Sequence, residues 1–195
     1  MAYEEILLSS QGAIGTITLN NPTKINALSR KMIDEMVDAL GRVAADEVIK
    51  VLIIRAAGNH FCAGHDLKEM VGKGTRDYKD IFDRCNRMMM LLHEIPQPVI
   101  AQVQGIATAA GCQLVSMCDL AVASDNARFA VSGVNLGLFC ATPSVGLSTV
   151  RAMEIENGLV NGSWGPEDQE GFGHAVAVGD FNGDGFDDLA ISDHE

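Results

Sequence analysis

Three observations predict an α/β fold, with helices laid over a mostly parallel sheet. Strand-like and helix-like stretches alternate from Ala13 to Ala123 in the order β-α-β-α-β-α-β. Val51–Ala56 (VLIIRA) is a continuous apolar run, as a buried parallel strand requires. Met32, Ile33, Met36, Val37, Leu40 and Val43 recur at helical spacing behind Ser29, whose hydroxyl can cap the first free N–H groups.

The remaining elements follow by the same rules. Ala13–Asn20 (AIGTITLN) alternates toward a strand and ends at the Asn20-Asn21-Pro22 turn. Gly58–Gly64 reads as a loop. Asp77–Glu94 reads as a helix that Ile95-Pro96-Gln97-Pro98 stops, because the residue before a proline is pushed out of the helical region. Val99–Val103 is a short strand, Ala107–Met117 a helix of small residues, and Leu120–Ala123 a further strand. Arg151-Ala152-Met153-Glu154 fits the start of another helix but is too short to assign.

Charge divides the chain. Residues 1–151 carry 15 acids and 14 bases, whereas residues 152–195 carry 11 acids and no Lys or Arg. The five cysteines precede the break and the single tryptophan, Trp164, follows it. The expected organisation is a core over 1–151, a turn-rich linker over 152–164 and a small acidic module over 165–195. No basic stripe exists to neutralise phosphates, so a nucleic-acid partner is not expected. No apolar stretch is long enough for a membrane span. An odd cysteine count without CxxC pairing suits reduced, buried thiols. The acidic N-terminus lacks a basic-then-apolar leader. A cytoplasmic location is therefore expected, with the mitochondrial matrix as the alternative for relatives.

Two loops concentrate the chemistry. Phe61-Cys62-Ala63-Gly64-His65-Asp66-Leu67 follows a buried strand, and Gln104 to Gln113 runs from strand into helix through Ala109-Ala110-Gly111. Small residues let backbone approach a ligand, and a helix start presents unpaired N–H groups. Two such groups aimed at one point make an oxyanion hole. The same pattern also describes two tight turns with packing glycines, and spacing alone leaves both readings open.

NNPTKINALS, FCAGHDLKEM, PVIAQVQGIATAAGCQLVSMCDLAVAS and ARFAVSGVNLGLF, in this order, resemble the enoyl-CoA hydratase/isomerase (crotonase) superfamily over roughly residues 5–150. The resemblance implies a spiral of βα repeats that binds an acyl-CoA thioester. It places the two carbonyl-polarising N–H groups on His65 and Ala110. Lys24 and Ile25 match one coenzyme A-contacting stretch; Ala63, Asp66, Leu67 and Lys68 match the second, and Gly111 belongs to the turn. The family's two catalytic glutamates fall at Gln113 and Gly133, neither of which exchanges a proton near neutral pH, so weak or no hydratase activity is expected. The pattern resembles hydratase-domain proteins that lack both glutamates. The resemblance stops before the C-terminal helical region that closes the acyl pocket and makes homotrimer contacts. His65 as a side-chain base and Cys140 as a nucleophile are the other candidates. A chance substitution and a buried structural thiol are their ordinary alternatives.

The acidic module has its own pattern. Asp180, Asn182, Asp184 and Asp188 supply oxygens at positions one, three, five and nine of a tight loop, Gly185 sits at six, and the Phe186 carbonyl falls at seven. That set suits Ca²⁺. Position twelve is Ile191 rather than Glu, and strand-like residues precede the loop, which disfavours an EF-hand. A solvated acidic turn is the ordinary alternative. Residues 165–193 resemble an FG-GAP repeat, a unit of integrin-type β-propellers, which needs neighbouring units to bury its faces. Three functions therefore compete: an acyl-CoA-binding crotonase-like core, a calcium-binding or adhesion-type module, and a non-functional fusion of two fragments.

Overall fold

The structure, a computed structural model, describes residues 3–131 and the strands Arg151–Glu156, Leu159–Asn161, Val176–Gly179 and Asp188–Ile191. Strands β1 (Ile6–Gln11) and β2 (Ile14–Leu19) form an antiparallel hairpin. Gly12, at φ 57°, takes the first position of its two-residue turn, where type II′ geometry needs positive φ. Helix α1 (Arg30–Ala45) follows, capped as expected by Ser29, whose Oγ accepts from the Met32 N–H at 2.9 Å. Strand β3 (Val51–Ala56), helix α2 (Thr75–Glu94), strand β4 (Val99–Val103), strand β5 (Ile106–Thr108), helix α3 (Ala110–Ser116), strand β6 (Leu120–Ala123) and strand β7 (Arg128–Ala130) complete the continuous part.

The main sheet has the order β1-β2-β3-β4-β6-β8-β9, where β8 is Arg151–Glu156 and β9 is Leu159–Asn161. Every pairing from β2 to β8 is parallel; the two end pairings are antiparallel. The mostly parallel sheet is thus as predicted. β5 and β7 form a separate parallel pair, and β10 (Val176–Gly179) pairs antiparallel with β11 (Asp188–Ile191).

One face of the sheet carries the core. Ile17, Ile54 and Ala101 lie in register, and all three are buried. Against that face α1 lays Met32, Ile33, Met36, Leu40 and Val43, and α2 lays Met88, Met89 and Leu92. The other face is more open: Leu7, Thr18, Arg55, Gln102 and Val122 line a cleft of about 660 Å³. VLIIRA therefore buries Leu52 and Ile54 but leaves Arg55 exposed, so β3 is covered on one face rather than two.

Four local expectations change. β1 was not expected, because only Ile6 of its six residues is buried and the edge reads as polar. The helix expected from Ala107 begins at Ala110; Ile106–Thr108 is drawn into a strand by pairing with β7. Arg151–Glu156 is a strand paired to β6, not a helix start. β9 lies within the stretch read as turn-rich.

Candidate functional site

The two glycine-bearing loops pack backbone against backbone. Cys62 and Ala107 form an isolated parallel bridge, in which the Thr108 N–H donates to Cys62 O at 2.9 Å and the Cys62 N–H to Ile106 O at 3.0 Å. At Gly111 an added Cβ would lie 2.4 Å from Cys62 O. At Gly64 (φ 86°) it would lie 3.0 Å from Thr108 O and 3.1 Å from Ala110 N. Glycine is needed at both positions because neighbouring backbone occupies the space of a side chain. Ala109, between them, sits at φ 51°, ψ −123°, a conformation that costs an L-residue on the order of 1–3 kcal/mol.

This packing orients two amides. Leu28 and His65 form a parallel bridge: the Leu28 N–H donates to Gly64 O (2.7 Å) and the Asp66 N–H to Leu28 O (3.1 Å). In that pattern the N–H of His65 points away from Leu28. Ala110 is the first residue of α3, whose opening N–H groups have no intrahelical acceptor. Among the described residues, neither the His65 nor the Ala110 N–H meets a carbonyl. Gln113 lies one turn into α3, its N–H bonded to Ala109 O at 3.0 Å.

The Lys24 and Asp66 stretches are brought together. Lys24 Nζ lies 2.8 Å from Asp66 Oδ2, and the Lys68 N–H donates to Asp66 Oδ1 at 3.0 Å. The hydrogen bond from Lys24 holds the Asp66 carboxyl below the usual carboxylate range, and the same bond raises Lys24. The Ala63 N–H donates to Ile25 O at 2.9 Å. Ile25 itself is left-handed at φ 52°, an outlier for a β-branched residue. Leu67 and Lys68 are exposed.

His65 packs edge-on against Phe82 of α2, with ring centroids 5.3 Å apart. Its Nδ1 is buried and has no hydrogen-bond partner among the described residues, and desolvation lowers its pKa. The imidazole is thus neutral at pH 7. A folded pKa below the unfolded value of about 6.5 means that stability is fully present above that pH. It falls as the unfolded chain takes up a proton that the native chain resists. Between pH 7.5 and 5.5 the urea midpoint of the wild type is expected to drop further than that of His65→Leu.

The four described thiols, Cys62, Cys85, Cys112 and Cys118, are free and buried. Burial pushes Cys62, Cys85 and Cys112 up to about 12 and raises Cys118 as well. Asp119 is structural: its carboxylate accepts the Val99 N–H at 2.6 Å and its own N–H donates to Val99 O at 2.9 Å. Gly133 and Cys140 lie outside the described residues, as do Asp180, Asn182, Asp184 and Phe186; Asp188 opens β11. Among the described residues no group of three His, Cys, Asp or Glu could hold a metal, and no helix is long and apolar enough to cross a membrane. The 660 Å³ cleft shares none of the site residues.

One residue at the site was not expected. Asn26 is fully buried and left-handed at φ 49°. Its amide donates to Ala57 O (2.9 Å) and His60 O (3.0 Å), and its Oδ1 accepts the Asn21 N–H (2.8 Å). It clamps the Lys24 turn onto the loop after β3. The available signal was that Asn tolerates the left-handed region better than its neighbours.

Comparison with known proteins supports the family and the fold. Residues 9–155 match the enoyl-CoA hydratase/isomerase family, and residues 172–192 match the FG-GAP repeat. Enoyl-CoA hydratase domain-containing protein 3, mitochondrial, of Xenopus laevis is 49% identical over 142 residues, 72% of this chain and 48% of that protein. A Mycobacterium smegmatis enoyl-CoA hydratase crystal structure superposes with a TM-score of 0.71 at 51% identity, covering 74% of this chain and 57% of that one. The human enoyl Coenzyme A hydratase domain-containing protein 3 gives 0.70 at 46% identity, covering 74% and 57%. The chain spans about half the length of the curated relatives it matches. Its paired glycine loops sit on a crotonase-like α/β fold, and the chain belongs to the enoyl-CoA hydratase/isomerase family.

Proposed function

We propose that the N-terminal core binds an acyl-CoA thioester and polarises its carbonyl between the backbone N–H groups of His65 and Ala110. The observation that carries this is the interlock of Gly64 and Gly111 with the facing loops, which leaves both amides without a carbonyl partner among the described residues. Preorganised donors stabilise developing negative charge on the carbonyl oxygen without reorganising at the moment of reaction. Lys24 offers an ammonium for the phosphates of coenzyme A. Ile25, Ala63, Leu67, Lys68 and Gly111 shape the approach. Such a substrate belongs to fatty-acid metabolism.

Hydration is a different matter. Adding water across an enoyl thioester needs one group to take a proton and another to give one. Gln113 and Gly133 do neither. Calorimetric titration with acetyl-CoA or crotonyl-CoA is expected to show binding, and a crotonyl-CoA hydration assay little or no turnover. Absence of binding at millimolar ligand would remove the proposal. Turnover matching an ordinary hydratase would remove its account of the two missing carboxylates. Protonated thiols and a relative described as mitochondrial support a reducing compartment, matrix or cytoplasm.

A separate observation favours a second activity in the tail. β10 and β11 pair antiparallel on either side of residues 180–187. We infer that Asp180, Asn182, Asp184, Asp188 and the Phe186 carbonyl coordinate Ca²⁺. Ca²⁺ is expected to protect the tail from proteolysis in the wild type and not in Asp184→Ala. Equal protection, or none in either, would exclude it.

A further inference from the structure

We propose that Asp66 is a positioning residue rather than a ligand contact: it acts through Lys24, fixing that ammonium where the phosphates of coenzyme A arrive. This rests on the acyl-CoA reading above. The pair is asymmetric, with 46% of the Lys24 side chain exposed and 6% of that of Asp66. An incoming phosphate therefore meets the ammonium, while the carboxylate stays inside the protein. Both Asp66 oxygens are already used, Oδ2 by Lys24 and Oδ1 by the Lys68 N–H. An ionised carboxylate has no donor to offer an anion and repels it, so a direct contact with phosphate is unfavourable.

Holding a lysine in place has a physical benefit. A free Lys side chain surrenders rotamer entropy when immobilised, and Asp66 imposes that loss before the ligand binds. The anchor is also well placed. The Asp66 N–H donates to Leu28 O at 3.1 Å, and His65 is the adjacent residue. One short, bonded segment thus sets both the carbonyl-facing amide and the phosphate-facing cation. Glu5 and Glu69 also act on Lys24 at longer range, and neither donates or accepts a hydrogen bond with its ammonium.

The test compares acetyl-CoA with acetyl-pantetheine, which keeps the thioester and lacks the nucleotide phosphates. Titrations would use the full chain as wild type, Lys24→Ala, Asp66→Asn and the double variant. Asp66→Asn is expected to lose about tenfold more affinity for acetyl-CoA than for acetyl-pantetheine, the size of one charge-assisted contact. The double variant should be no weaker than Lys24→Ala alone, and Asp66→Glu should recover part of the loss. Tighter acetyl-CoA binding by Asp66→Asn would overturn the proposal, showing that Asp66 competes with phosphate. Equal losses for both thioesters would also overturn it, since Asp66 would then only support the loop. Wild type that binds both thioesters with equal affinity would refute this role while leaving the carbonyl reading intact. Wild type that binds neither would refute that reading, and this role with it.

Discussion

Gly111→Ala is expected to lose about 3 kcal/mol of stability or more, toward the upper end of what overpacking costs. The added Cβ would lie 2.4 Å from the Cys62 carbonyl oxygen and 2.8 Å from its Cβ. The clash is with backbone that is itself fixed by the Cys62–Ala107 bridge, so no side-chain rotation relieves it. Gly41 supplies the contrast. It lies inside α1 with nothing within 4 Å of an added Cβ. Gly41→Ala should stabilise by roughly 0.5–1 kcal/mol, because alanine restricts the unfolded chain and favours helix. Urea midpoints of the two variants should therefore move in opposite directions from the wild type. A Gly111→Ala midpoint at the wild-type value would mean that the two loops do not interlock as described.

Asn26→Ala is the second large effect. Its amide is the donor to two carbonyls, Ala57 O and His60 O, and its oxygen accepts the Asn21 N–H. Removing a buried partner leaves the other groups unsatisfied at about 1–3 kcal/mol each. Water entering the gap recovers part of this, and alanine suits φ 49° less well than asparagine. The expected net loss is about 3 kcal/mol in chemical denaturation. Because the clamp holds the Lys24 turn against the loop that leads to His65, acyl-CoA affinity should fall with it, even at temperatures where the variant is folded. A variant that keeps wild-type stability and affinity would show the Lys24 turn to be held by its other bonds alone.

The parts of this chain that were legible in advance are those set by local chemistry. Ser29 caps α1 because a hydroxyl followed by a helical apolar stripe needs no distant partner. Val99–Val103 and Leu120–Ala123 were recoverable for the same reason, being short apolar runs between breakers. β1 was not, because an edge strand that buries only Ile6 carries almost no alternation. The start of α3 was misplaced because Ile106–Thr108 is held extended by β7 and by Cys62, contacts that span many residues. At the site, the glycine loops were visible as motifs. Their interlock was not, since spacing says nothing about which backbone faces Gly64 or Gly111. The Lys24–Asp66 ion pair joins residues 42 apart, and the Asn26 clamp reaches 31 and 34 residues along the chain. Sequence periodicity carries no information at that range.

Polarisation of a thioester carbonyl by two backbone amides is the central claim, and vibrational spectroscopy reads it directly. Acetyl-CoA isotope-labelled at the thioester carbonyl would be bound to the full chain and its carbonyl stretch compared with that of the free ligand in water. The account predicts a shift to lower wavenumber, because two preorganised donors weaken the C=O bond more than solvent does. The shift should shrink in Gly64→Ala, where the new Cβ crowds Ala110 N. A bound thioester whose carbonyl stretch matches that of the free ligand would contradict the claim.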